Sequence, residues 1–370
     1  MSIAIQAADL DAERIDGTRV YLLRLLERFG AMFPDESWHL FHRRDFNPYL
    51  TPPAFPNYHI HTVPFPLSWT QTRFAWELFR QHPGRLFMPV QALPVFLPKG
   101  TQSIVTIHDL AFKLFPEHFP SQDVWKLNWL TDFAVRHATR LIAVSDSTKR
   151  DILKWYPHIS ESKIRVIYHG FDIPQEGSVS QDEKMAILEK FHLTDGEYIL
   201  YVGALQPRKN LTRLIEAFSV FGRSHPSAKL VLAGEAAWMS AEIFEAREKN
   251  IFRDRIVMTE RVSFEERSVL YKYARIFVYP SLYEGFGLPI LEAFASGVPV
   301  VCANNSSLPE VAGDAAQFFD ANRSGILADI LSELWNDISQ RTTLITAGRE
   351  QLKKFSWNKC AQETAEWILE

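Results

Sequence analysis

The sequence lacks most of the features that mark a secreted, membrane-spanning or metal-holding chain. It has two cysteines, Cys302 and Cys360, far apart and without metal-ligand spacing. That excludes a disulfide framework and points to a reducing, cytoplasmic setting. No apolar run reaches the about eighteen residues of a membrane span. The opening stretch "MSIAIQAADLDAERIDG" carries acids early and has no basic region, so no secretory leader is expected. No D-x-D pair occupies a convincing strand end, and no short-period repeat is visible. An excess of charge of one sign is also lacking: the net value is only −4. No global field recruits nucleic acid, and any anion site must be local.

What is present is an ordinary soluble composition, 46% hydrophobic and 23% charged, spread over 370 residues. That length is too great for one core and suits two domains. Aromatics reach 13% and crowd the first half, as in "WTQTRFAWELF". Most should be core, and some are candidates for an apolar acceptor or for peripheral contact with a membrane surface.

Short apolar runs alternate with helical patterns throughout, the order of parallel sheets covered by helices. "SIAIQA", "WHLFH", "YHIHTV", "SIVTIHD", "LIAVS" and "IRVIYHG" read as strands of a first domain, 1–175, with helices over 17–29, 123–137 and 146–155. Prolines crowd 52–98, which reads as loop. The polar stretch "IPQEGSVSQDEK" reads as linker, placed at 176–190. "YILYVGAL", "KLVLAGE", "RIVMTER", "ARIFVYPS" and "VPVVCAN" then give a second doubly wound domain, 191–352. Ligands of such sheets sit beyond the carboxyl ends of the strands.

Two strand ends carry the chemistry. In "YVGALQPRKNLTRLIEAF" a helix begins after Asn210, a favoured cap residue. Arg208 and Lys209 therefore lie at the positive end of a helix dipole, a setting that an anion between them would relieve. On that view Lys209 serves the ligand, and the fold can do without it. A solvated loop pair is the plainer alternative. In "SLYEGFGLPILEAFASGVPVV", Gly285 and Gly287 let the backbone approach a ligand ahead of a helix over 288–296. Glu284 and Glu292, eight positions apart, are acceptors whose natural partners are hydroxyls. A tight turn around a core Phe286, and a Glu292 that merely offsets the helix dipole, are the plainer alternatives. Taken together the groups ask for a ligand that is anionic and polyhydroxylated, a nucleoside diphosphate sugar.

The E-x7-E block enclosing G-F-G-L-P, with the Arg-Lys pair upstream, resembles family four of the retaining glycosyltransferases. "TIHDLAF", "AVSDSTKRDI", "VIYHGFD" and the closing "SWNKCAQETAEWI" extend the likeness along nearly the whole chain. The resemblance implies the α/β GT-B fold, two Rossmann-like domains facing across a cleft, with a closing helix in 353–370 crossing back to the first. It implies that Glu284 meets the donor sugar and Glu292 the ribose. Arg208 and Lys209 would bind the diphosphate with amides of Gly285, Phe286, Gly287 and Leu288. His108 would reach the transferred sugar from the other domain, unless its imidazole simply pairs with Asp109. Glu260 or Arg261 would border the base. Relatives often carry a glycine-rich turn after the first strand; here "IDGTRVY" keeps Gly17, with Arg19 in place of a second glycine, there to touch phosphate or to face solvent. The implied reaction is retaining, without metal or other cofactor, from a donor such as GDP-mannose to a saccharide or lipid-linked saccharide, in the cytoplasm or at the inner face of a membrane. A sugar-nucleotide-binding protein without catalysis, a UDP-sugar epimerase and a phosphorylase are the rival readings.

Overall fold

The computed structural model describes residues 2–172 and 180–370. The chain divides into two compact units. The first comprises Met1–Lys113, Gln122–Gly170 and Phe355–Glu370; the second comprises Leu114–Ser121 and Phe171–Lys354. The sequence placed its divisions at 175 and 352; contacts place them at Gly170 and Lys354, and add the short segment Leu114–Ser121 to the second unit.

In the first unit seven strands, β1 (Ser2–Gln6), β2 (Ser37–His42), β3 (Tyr58–Thr62), β4 (Arg85–Met88), β5 (Gln102–Ile107), β6 (Arg140–Ala143) and β7 (Ile164–Val166), form one parallel sheet. Its order is β3-β2-β1-β4-β5-β6-β7. The proline-rich region read as loop contains β4 and a helical stretch, Thr70–Phe74 of π type continuing as the α-helix Ala75–Gln81. The prolines stand on either side of these elements, and Phe74 stacks on Trp69 while touching Phe41 of β2. Tertiary packing therefore made elements that local composition disguised.

In the second unit β8 (Tyr198–Val202), β9 (Lys229–Ala233), β10 (Ile256–Met258), β11 (Ile276–Tyr279), β12 (Val300–Ala303) and β13 (Ala316–Phe319) are parallel, in the order β10-β9-β8-β11-β12-β13. Every residue of β8, β11 and β12 is buried, as a sheet covered on both faces requires. β13 went unread because "AQFF" is too short to show a period. The linker expected at 176–190 lies partly outside the described residues. From Gln181 to Lys190 the chain is a helix, opened by a capping box in which Ser180 accepts from the Glu183 N–H and Glu183 accepts from the Ser180 N–H. Polar composition hid a well-capped helix.

The closing helix, Trp357–Leu369, belongs to the first unit and is fastened there at several points. Arg140 donates to the Trp367 carbonyl at 2.9 Å, and the Trp367 indole donates to the Leu141 carbonyl at 3.2 Å. Gly170 is where the helix comes closest. A Cβ at Gly170 would lie 2.0 Å from the Trp357 nitrogen and 2.3 Å from its Cα, and backbone cannot yield as a flexible side chain does. Gly170→Ala is therefore expected to destabilise the first unit by about 1–3 kcal/mol, measured by chemical denaturation. Stability equal to that of the parent would contradict this close approach.

Candidate active site

Strand order reverses between β8 and β11: β9 and β10 lie beyond β8, and β12 and β13 lie beyond β11. The segments leaving the two strands must part there, and the crevice between them is the usual ligand position of an open α/β sheet. After β8 the chain makes a 3-10 turn, Pro207–Lys209, and then Asn210 adopts a left-handed φ of 58°. After β11 it runs through Ser281–Gly287 into the helix Leu288–Ala295.

Asn210 does not cap the helix Leu211–Phe221 that follows it. Its side-chain amide instead donates to the carbonyls of Pro280, at 3.1 Å, and Ala321, at 2.8 Å, joining three loops. The Leu282 N–H donates to the Arg208 carbonyl at 2.9 Å. The two strand ends are thus stitched together through their backbones.

Between them lies a buried ionic cluster. Arg208 donates to the Tyr283 carbonyl and, at 3.2 Å, to Glu284 Oε2. Lys209 Nζ donates to Glu284 Oε1 and, at 3.1 Å, to the Tyr279 hydroxyl. Lys209 is 7% exposed and Glu284 8%. Burial by itself would raise the Glu284 carboxyl, but the charges of Lys209 and Arg208 and the hydrogen bonds to it prevail and hold it at about 2. This revises two expectations. The anion that relieves the cationic pair is already present as the Glu284 carboxylate, and Lys209 is a buried structural partner as well as a candidate ligand group.

The glycine loop is held from β12. The Glu284 N–H donates to Ser306 Oγ at 3.0 Å. The Ser307 hydroxyl lies 2.9 Å from the Glu284 carbonyl and 2.6 Å from the Phe286 carbonyl, and Asn305 donates to the Ser281 carbonyl at 3.1 Å. The sequence reading missed these three residues; the signal was the polar run "NNSS" directly after a buried strand. Gly287 has φ +120°, a conformation rarely open to other residues, and starts a helix that no side chain caps. Gly285 is buried beside it, and Phe286 packs inward, so the loop is also the tight turn over a core Phe of the plainer reading. Leu288 and Pro289 form the first turn of the helix.

The remaining candidates are more scattered. Glu292, half-exposed on the second turn, takes Arg267 at 3.3 Å as its ion partner and does not join the Arg208–Lys209 pair. Glu260, exposed and left-handed at φ 57°, bridges to Gly234 at the end of β9. Arg261 is exposed and 3.9 Å from Glu235. Both follow β10 and so share the carboxyl end of the sheet with the cluster.

In the first unit His108 follows β5. Its imidazole does not pair with Asp109, whose carboxylate instead accepts from the Ala111 N–H at 3.0 Å. Nε2 lies 2.7 Å from the Pro89 carbonyl, which can only accept, so Nε2 carries the proton. Burial lowers the pKa of His108, against the smaller opposing effects of the Pro89 carbonyl, Asp109 and Asp16. The ring is therefore neutral, packed edge-on against Tyr21 with Nδ1 as an acceptor. Gly17 is the exposed first residue of the helix Gly17–Met32. Arg19 neither reaches outward nor faces solvent: it folds back on Asp16 and donates to the Asp9 carbonyl at 3.2 Å.

Comparisons with known proteins agree with this architecture. Residues 16–175 match Glycosyltransferase Family 4, and residues 183–351 match Glycosyl transferases group 1. The O-antigen chain mannosyltransferase B of Escherichia coli is 34% identical over 274 residues, 73% of this chain and 71% of that one. The serotype-specific mannosyltransferase WbdA of Escherichia coli is 27% identical over 70% of this chain, a match that spans only 32% of WbdA. The crystal structure of Anabaena Alr3699/HepE in complex with UDP and glucose superposes with a TM-score of 0.75 at 19% identity, covering 100% of this chain and 99% of that one. The chain belongs to the group 1 and family 4 glycosyltransferases. It is an enzyme of the GT-B fold, built from two Rossmann-like α/β domains.

The cluster has a pH signature. Because the folded pKa of Glu284 is depressed, its ion pairs stabilise the fold above the ordinary carboxylate pKa and are lost as pH falls toward about 2. Lys209→Met removes one partner, at a cost of up to about 3–5 kcal/mol at neutral pH. The stability gap between parent and variant should shrink steadily below about pH 4.5, the range in which an ordinary glutamate takes up a proton. A gap that is independent of pH, measured by denaturation from neutral to acid, would show that the pair is not coupled to Glu284.

Proposed function

We propose that the enzyme transfers a hexosyl residue, with retention at the anomeric carbon, from a nucleoside diphosphate sugar to a hydroxyl of a saccharide or lipid-linked saccharide. The proposed donor is GDP-mannose; two of its relatives carry mannosyltransferase in their names. The observation that carries the proposal is the buried cluster of Arg208, Lys209 and Glu284 at the switch point of the second sheet. Two cations and one carboxylate leave a net positive charge in a site of low exposure, beside an uncapped helix start. That is a setting for a diphosphate, and it becomes more favourable as the bond to the sugar breaks and charge grows on the leaving oxygen.

In this reading the anomeric C–O bond to the diphosphate breaks and a C–O bond to the acceptor forms on the same face of the sugar. The acceptor's proton passes to the departing diphosphate. Arg208 and Lys209 hold that diphosphate with amides of Gly285 to Leu288. The Glu284 carboxylate, ionised at every physiological pH, accepts sugar hydroxyls. Glu292 takes the ribose, giving up or sharing Arg267, and Glu260 and Arg261 border the base. His108 contributes from the first domain: its Nδ1 can accept a sugar hydroxyl without the ring changing protonation. Charge compensation is assigned to these protein groups and to no metal or other cofactor. Among the described residues no helix is long and apolar enough to cross a membrane. The proposal places the reaction in the cytoplasm, with peripheral contact at the inner membrane face where a lipid-linked acceptor would be carried.

His108→Ala separates binding from transfer. Nucleotide affinity, which the second domain supplies, should stay at the parent value by calorimetry with GDP. Mannosyl transfer from GDP-mannose to a mannose disaccharide should fall about 100-fold, the scale of losing a positioned catalytic group. Near-parental turnover, or loss of turnover together with melting temperature, would remove His108 from the reaction. Absence of transfer by the parent protein would sink the function itself.

A further inference from the structure

The first unit carries a surface that the transfer reaction does not use. Between Asp45 and Asp109 the only acid in the sequence is Glu77. That residue is buried and neutralised by Arg73 at 2.5 Å and Arg80 at 3.6 Å. The same stretch exposes Leu67 (73%), Trp76 (61%) and Phe96 (71%), with Phe65, Phe79 and Val95 also exposed. Large apolar side chains standing in water singly are ordinary, but a contiguous group is not.

The structure brings these residues together. Gln71 clamps two loops: its side-chain amide donates to the Leu93 carbonyl at 3.0 Å, and its Oε1 accepts from the Val95 N–H at 2.9 Å. The Thr72 hydroxyl lies 3.1 Å from the Leu67 carbonyl. Leu67 and the Val95–Phe96 pair are thus neighbours on either side of residues 71 and 72, and Trp76 lies one helical turn beyond Thr72. Both loops leave the carboxyl ends of their strands, β3 and β4, the end of the sheet at which His108 follows β5. Arg73 and Arg80 together exceed Glu77 by one positive charge, the exposed Lys99 adds another, and no exposed carboxylate in this stretch opposes them.

We propose that this loop pair, residues 63–73 and 93–99, docks the enzyme on an anionic lipid bilayer. The occupant is identified by two complementary features. Exposed aliphatic and aromatic side chains suit insertion at the headgroup–acyl boundary, and a cationic surround without acids suits a negatively charged headgroup layer. Docking at the carboxyl end of the sheet would bring a lipid-borne saccharide to the end of the domain that carries His108. The docking deepens the reading of a lipid-linked acceptor and rests on that reading for its purpose, not for its chemistry.

The test uses the full chain and extruded vesicles of phosphatidylcholine, with and without phosphatidylglycerol, in a co-sedimentation assay. The parent should sediment with the phosphatidylglycerol vesicles, far less with pure phosphatidylcholine, and less again as ionic strength rises. The double variant Leu67→Ser/Phe96→Ser should partition roughly ten-fold more weakly, and Lys99→Glu should weaken binding to anionic vesicles alone. Both positions of the double variant are solvent-exposed, so its melting temperature and GDP affinity should match the parent. Equal binding to both vesicle types, no binding by the parent, or a double variant that binds as the parent does would overturn the proposal. So would a parent that sediments as a dimer and becomes monomeric in the double variant, which would make the occupant a second copy of the chain. A parent that binds anionic vesicles but no GDP would support the docking surface while sinking GDP-mannose as the donor. The reverse result would sink the docking alone.

Discussion

The candidate site depends on one carboxylate set between two cations. Glu284 reaches Arg208 and Lys209 at once, so the loop after β11 and the turn after β8 are joined by charge as well as by backbone. Either cation left alone at this depth is costly, and burial raises a carboxylate that lacks them. Loss of any one member of the cluster therefore costs stability. Its partners fix the path of the following residues, Gly285 to Leu288, by holding Glu284 at the mouth of the loop. Ser306 and Ser307 hold the same loop from β12. The result is a backbone segment positioned before any ligand arrives, which is the condition for electrostatic stabilisation without reorganisation.

A pre-paired cluster also changes how ligand binding is understood. In the proposed reading a diphosphate does not enter a pair of bare cations; it competes with, or is added to, an internal carboxylate. That competition would hold down the affinity for free nucleotide, and the sugar of the intact donor would restore the balance by giving Glu284 hydroxyl donors. The same residue would then suppress binding of the product diphosphate and favour the donor. Differential binding of this kind raises turnover more than it raises affinity.

Much of this could be read in the sequence, and the failures have physical causes. The doubly wound pattern was legible because buried parallel strands are continuous apolar runs, as "YILYVGAL" and "ARIFVYPS" are. The helix over 146–155 was legible from the proline stop after it, at Pro157. β4 and the helix within 70–81 were hidden because flanking prolines outweighed buried contacts, such as Phe74 on Phe41, that only the folded sheet supplies. In the site, residue types and spacing identified Arg208, Lys209, Glu284 and the glycine loop as one group. They did not show that Glu284 pairs with both cations, because a carboxylate and two cations some 75 positions apart have no local signature. Nor did they show Asn210 reaching Pro280 and Ala321 in preference to its own helix, or Arg19 closing on Asp16.

The most direct measurement is a calorimetric comparison of GDP and GDP-mannose binding to the parent and to Glu284→Gln, with turnover on the same samples. Neutralising Glu284 leaves both cations without their internal anion and takes a hydroxyl acceptor from the sugar. The account expects affinity for GDP to hold or rise while the advantage of the intact donor and the turnover both fall. A variant that loses GDP and GDP-mannose affinity in parallel would contradict it, and would make Glu284 a scaffold for the diphosphate site with no part in recognising the sugar.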